Sequence, residues 1–105
     1  MADIGTYTTS ELTINVPLDL TGANVYVTFK QGGKTIFEKD ETEMTVTAES
    51  IVVPLTQEDT GKFTSGPMSF QIKYVFPDGS SDISCELRTE IVEAYKRGVT
   101  PYVER

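Results

Sequence analysis

Apolar and polar residues alternate along most of this chain with a period of two. Leu12, Ile14 and Val16 are separated by Thr13 and Asn15, and Val25, Val27 and Phe29 by Tyr26 and Thr28. The alternation continues through Met44 and Val46, through Ile51, Val53 and Leu55, and through Met68, Phe70, Ile72, Tyr74 and Phe76. It closes with Ile83, Cys85, Leu87, Thr89 and Ile91. Successive side chains of a strand point to opposite faces, so each set predicts a half-buried strand with one apolar face. The 51–55 run is apolar on both faces because of Val52. Abundant Thr, Val, Ile, Tyr and Phe add β-propensity.

The punctuation between these runs is that of antiparallel hairpins. Gly32-Gly33 suits the positive φ angles of a tight primed turn. In Pro77-Asp78-Gly79-Ser80, proline presets φ at the second turn position and glycine supplies the left-handed one. One segment breaks the alternation: Thr56 is a helix N-cap residue followed by the acids Glu58 and Asp59 and then Gly61, which predicts a single helical turn at residues 56–61. With strand-like runs about every ten residues, the pattern predicts an all-β sandwich or barrel of about seven strands. The helical turn would carry the chain from one sheet to the other.

The alternation places Leu12, Ile14, Val16, Val25, Val27, Phe29, Ile36, Val46, Ile51, Val53, Leu55, Phe63, Phe70, Ile72, Tyr74, Cys85 and Leu87 in the core. A two-residue loop at Gly32-Gly33 pairs Phe29 with Ile36. Phe37 then faces outward beside Thr28 and makes an exposed patch with Tyr26, unless another segment covers it. Beyond residue 94 the alternation is lost. Residues 1–94 are therefore read as the sandwich and residues 95–105 as a C-terminal contact arm.

Composition changes this picture mainly by exclusion. The chain has 105 residues, 16 acidic and nine basic side chains, a net charge of −7 and no histidine. That length fits one small domain. Without histidine there is no imidazole base and no His-ligated metal, and a single cysteine rules out an internal disulfide and any multi-Cys zinc site. The acidic balance argues against tracking nucleic-acid phosphates. No apolar run approaches the roughly 20 residues of a membrane-spanning helix, and the first residues lack the basic and apolar regions of a secretory signal. These features predict synthesis in a cytoplasm, with no nucleic-acid and no membrane partner.

Few groups suggest chemistry. Glu38 with Asp40, Glu41 and Glu43, and the oxygens of Asp78, Ser80 and Asp82, faintly resemble calcium ligands. The first group reads more simply as a solvated loop and the second as a hairpin turn, with no match to an EF-hand. Cys85 has no histidine to activate it, and its strand parity points it inward as a small hydrophobe. There is no nucleophile elbow and no phosphate-binding glycine loop. The expectation is a protein that is not an enzyme, with no catalytic residue, no cofactor and no metal. The candidate interface residues are Tyr26 and Phe37 on the body and Tyr95, Lys96, Arg97, Tyr102 and Arg105 on the arm, since Tyr and Arg are enriched at protein interfaces.

Three segments carry a resemblance. They are residues 16–29, with Asp19-Leu20-Thr21-Gly22-Ala23; residues 51–63, with Val53-Pro54-Leu55-Thr56; and residues 68–82, with Phe70, Tyr74 and Phe76 before Asp78-Gly79. Together they resemble small immunoglobulin-like virion proteins of tailed phages and prophages, nearest to the N-terminal domain of the phage upper baseplate protein family. The resemblance spans roughly residues 10–95. It implies an immunoglobulin-like antiparallel β-sandwich made in a bacterial host cytoplasm. Its role would be structural, in a baseplate, tail or head accessory, with other virion proteins or further copies of itself as partners. The chain departs from the family in stopping at Arg105, without the helical and receptor-linked regions of a full baseplate protein. The competing expectation is a carbohydrate- or ligand-binding module with Tyr26 or Phe37 as its platform.

Overall fold

The computed structural model of the chain describes residues 3–16, 18–84 and 86–104. Its strands are β1 (Ile4–Gly5), β2 (Ser10–Asn15), β3 (Asn24–Gln31), β4 (Lys34–Asp40), β5 (Thr45–Val46), β6 (Ser50–Leu55), β7 (Gly66–Val75), β8 (Ser81–Ile83) and β9 (Leu87–Val92). A 3₁₀ turn (Glu41–Glu43) precedes β5, and one helical turn, α1 (Gln57–Thr60), follows β6. The strands form two sheets. The larger has the order β1-β9-β7-β3-β4, with β8 also paired to β7, and the smaller has the order β2-β6-β5. Neighbours are antiparallel except β1 and β9, which run parallel with Ile4 opposite Ile91.

This is an all-β immunoglobulin-like sandwich: the chain crosses repeatedly between sheets whose inner faces share one core. All seven predicted strand regions are present, with β1 in addition. The predicted helical turn is also present. The Thr56 hydroxyl accepts from the Asp59 amide at 3.1 Å and the Asp59 carboxylate accepts from the Thr56 amide at 3.0 Å, a reciprocal cap that fixes the turn. As expected, α1 links the small sheet to the large one.

The core holds Leu12, Val16, Val25, Val27, Phe29, Ile51, Val53, Leu55, Phe63, Phe70, Ile72 and Tyr74, all predicted, together with Ile4, Leu20, Met68 and Ile91. Ile14, Ile36, Val46 and Leu87 pack against it while only half-buried. The expected inward position of Cys85 lies outside the described residues.

Two one-residue slips correct the sequence reading. The first lies in the β3–β4 hairpin. Gly32 and Gly33 both have positive φ, as predicted, and Gln31 faces Lys34. The register then shifts, so that Lys30 faces Thr35 but Phe29 faces Phe37. A bulge of one residue moves every later side chain to the opposite face. Phe37 therefore turns inward, with its ring stacked 4.7 Å from Phe29 and tilted against Phe63 at 5.4 Å. The predicted Phe29–Ile36 pair and the exposed Tyr26–Phe37 patch do not form.

The second slip divides the last predicted strand. Ile83 faces Lys73, whereas Leu87 faces Phe70. Four steps along one strand thus match three along the other. Ser84 sits at the irregularity: its amide donates to the Ile72 carbonyl at 2.8 Å and its hydroxyl accepts from the Ile72 amide at 3.0 Å. Ile83 consequently shares the outer face with Lys73 and is 57% exposed, while Thr89 and Ile91 are buried.

Candidate interaction surface

At one end of the sandwich, three segments distant in sequence meet. Thr60, the last residue of α1, is fully buried. Its hydroxyl accepts from the Thr8 amide at 3.0 Å and donates to the Thr8 carbonyl at 2.7 Å. Tyr7 lies beside Gly61 with φ of +53°. A Cβ at Gly61 would stand 2.4 Å from the Tyr7 ring, so glycine is what admits the ring there. Thr6 joins the last strand to the first: its amide donates to the Val92 carbonyl at 2.9 Å and its hydroxyl accepts from the Ala94 amide at 2.9 Å.

Among the described residues, Gln57 ties the arm to this end. The Gln57 carboxamide donates to the Thr100 carbonyl at 2.9 Å and accepts from the Thr100 amide at 2.6 Å. The pair of bonds mimics a strand contact. Tyr95 and Tyr102 on either side of the clamp are 104% and 90% exposed, and Val99 and Val103 are also exposed. Lys96 and Arg97 are exposed as well. Arg97 pairs with Glu93, four residues earlier in the chain. Below that pair lies a groove of about 320 Å³ between Thr6, Tyr7, Gly61, Phe63 and Arg97.

The predicted interface residues thus separate. Tyr95, Lys96, Arg97 and Tyr102 share the arm. Tyr26 is half-buried on the outer face of the large sheet, between Lys73 and Asp40. Phe37 is half-buried and packs against the core, with the Lys62 ammonium 5.3 Å from its ring centre. Arg105 lies outside the described residues. Sequence reasoning missed Gln57, Thr60, Thr6 and Thr8. Each acts through a partner 43 to 88 positions away, and no local pattern marks such a contact.

The acidic groups serve local structure. Asp19, Asp40 and Asp78 repeat one device: each carboxylate accepts from the backbone amide and the hydroxyl two residues on, at Thr21, Thr42 and Ser80. Those hydrogen bonds, the hydroxyl's first, hold each carboxyl below the usual aspartate range. Glu41 accepts from its own turn's backbone, from the Asn24 amide group and from the Val25 amide, and is drawn down likewise. Glu43 accepts from the Asp40 amide and closes the 3₁₀ turn's cap. Asp82 accepts from the Ile83 amide, so it does not converge with Asp78. No cluster of three or more metal-binding side chains occurs among the described residues.

One ion pair is largely buried. Lys39 faces Val27 across the β3–β4 ladder and so points toward the core side. Its ammonium lies 2.8 Å from the Asp59 carboxylate, with the two side chains 11% and 15% exposed. Burial alone pushes the Asp59 carboxyl up. The hydrogen bond from Lys39, the Thr56 amide and the Lys39 charge together outweigh it, and the net shift is downward.

The fold therefore defines a β-sandwich domain whose described residues hold polar groups in structural bonds. No known protein family matches the chain, and no curated protein matches its sequence. Among solved structures, the chain is similar to a proposed glycoside hydrolase from Bacteroides vulgatus, with a TM-score of 0.56 and 8% identity over 91% of this chain. The chain spans 17% of that protein's length. At this identity the likeness is one of fold.

Proposed function

We propose that the chain is a non-enzymatic assembly module, a structural component of a tailed phage or prophage particle that works through protein–protein contacts. The observation that carries the assembly reading is the arm. Two tyrosines and two valines stand exposed on a segment anchored by the Gln57–Thr100 clamp. A held segment presenting apolar side chains loses less entropy on docking than a free one, and aromatic residues dominate binding hot spots. The virion assignment draws on the sequence resemblance. Neighbouring genes for tail, head or terminase proteins support it, and a metabolic operon overturns it.

Deletion of residues 95–105 tests the arm. The expected outcome is a domain that still melts cooperatively but no longer forms species larger than a dimer in sedimentation velocity. Loss of the cooperative melt assigns the arm to the fold and refutes the mechanism.

A second reading, a carbohydrate- or ligand-binding module, draws on the description of the structural neighbour. Its expected platform has lost Phe37, which packs against the core. A glycan array with reproducible hits at Tyr95 or Tyr102, abolished by alanine at those positions, would favour it over assembly.

A further inference from the structure

Exposed sheet edges offer unpaired backbone groups, and most edges of this sandwich are blunted. In the large sheet, β4 carries a bulge and the inward Lys39, and β1 and β8 are two and three residues long. In the small sheet, β5 is two residues long. Short strands, bulges and inward charges are the usual protections against strand addition. The strand β2 has none of them. It is six residues long, pairs with β6 in unbroken register from Ser10–Leu55 to Asn15–Ser50, and has no strand on its other side among the described residues. The long strand β7 is interior, between β3 and β9, and β1 pairs with β9 at Ile91 and Val92.

Charge points the same way. The outer face of the small sheet is formed by β2 residues Glu11, Thr13 and Asn15 and by their outward neighbours on β6 and β5. Glu11 is its single charged side chain. The outer face of the large sheet carries Lys30, Glu38, Lys73, Arg88 and Glu90. In a chain of net charge −7, two copies repel least where both present uncharged surface.

We propose that β2 is a homodimer edge, with a second copy adding antiparallel about Thr13 to make one continuous six-stranded sheet. Opposed residues in an antiparallel pair share a face. A two-fold axis at Thr13 sets Thr13 against Thr13, Glu11 against Asn15 and Leu12 against Ile14. Like meets like in polarity, and no two charges of one sign are opposed. A register centred on Leu12 also preserves the faces and aligns as many residues, Ser10–Ile14. The Val16 amide donates to the Glu49 carbonyl in continuation of the β2–β6 register, so along β2 the backbone groups of Glu11, Thr13 and Asn15 face the free edge. The Thr13 axis pairs all three, and the Leu12 axis pairs only Glu11 with Thr13. This inference rests on the assembly reading and names its partner as a second copy. A ladder about 20 Å long is a small interface, so the dimer is expected to be weak, in the micromolar range.

The test is sedimentation velocity on the full chain across concentration, with Thr13→Lys and Thr13→Cys. Thr13 is exposed, so Thr13→Lys should leave the thermal melt unchanged. It places two like charges across the axis and should weaken dimerisation about fivefold or more. Opposed Cα atoms lie about 4.5–5.5 Å apart, within the span of a disulfide, so Thr13→Cys should give a covalent dimer under mild oxidant. The wild-type chain and Thr45→Cys, on the same face but one strand removed, should not. A wild-type chain that stays monomeric to about 1 mM, or a dimer indifferent to Thr13→Lys, overturns the β2 pairing. If that indifferent dimer disappears on deleting residues 95–105, the assembly reading survives and the arm is its surface.

Discussion

Replacing Asp59 with Asn removes a charge from the Lys39 pair while keeping an oxygen to accept from the Thr56 amide. The cap of α1 is thereby preserved, and the measurement isolates the ion pair. At 2.8 Å and an effective dielectric of about 20, the gross attraction is about 6 kcal/mol. Most of that offsets the desolvation of both groups. Breaking a fully buried pair costs about 3–5 kcal/mol because one charge is stranded. Side-chain exposures of 11% and 15% let some water reach it, so Asp59→Asn is expected to cost about 2–3 kcal/mol.

Lys39→Met is the counterpart. Methionine fills the volume of the lysine stem, and Asp59 keeps its amide donor and its access to water, so the cost should stay under about 1 kcal/mol. The double variant should match Lys39→Met closely. Urea melts followed by far-UV circular dichroism suit a chain without tryptophan. For a domain of this size, Asp59→Asn should lower the Tm by about 10–20 °C.

The pH dependence follows from the downward shift of Asp59 below its ordinary 3.8. The folded state then binds that proton less tightly than the unfolded state does. The contribution is full above the unfolded value and is lost as pH falls through the lower folded one. The stability gap between wild type and Asp59→Asn should therefore be constant near neutrality and shrink below about pH 4. A larger cost for Lys39→Met than for Asp59→Asn, or a gap that does not begin to narrow as pH falls below about 4, refutes the view that a stranded lysine is what the pair prevents.

Two further outcomes follow from the packing. Phe37→Ala removes a half-buried ring in contact with Phe29 and Phe63 and should cost about 2–3 kcal/mol by urea melt, below the roughly 3–5 of a fully buried phenylalanine; a change under about 0.5 kcal/mol would return Phe37 to the surface. Thr60→Val leaves the Thr8 amide and carbonyl without their side-chain partner and should cost about 1–3 kcal/mol, with faster amide exchange confined to residues 5–9; uniform acceleration across the sheets would count against a local strap.

Within a strand, geometry has a fixed period and the sequence reports it directly. The alternation in Leu12 to Val16, Val25 to Phe29 and Met68 to Tyr74 located the strands and most of the core, and Thr56 with Asp59 marked the helical turn. The same pattern carried no information about where an extra residue enters a ladder. A bulge costs little locally but turns the following side chains over, so Phe37 and Ile83 exchanged the faces that parity assigned to them. The arm was legible in the surface site as a loss of alternation, with Tyr95 and Tyr102 on it. Its anchor at Gln57 was not legible, nor were the straps through Thr6, Thr8 and Thr60. Those contacts depend on segments far apart in the chain being brought within about 3 Å, and only the closing of the two sheets around one core decides which of the many amides and hydroxyls in this sequence become partners.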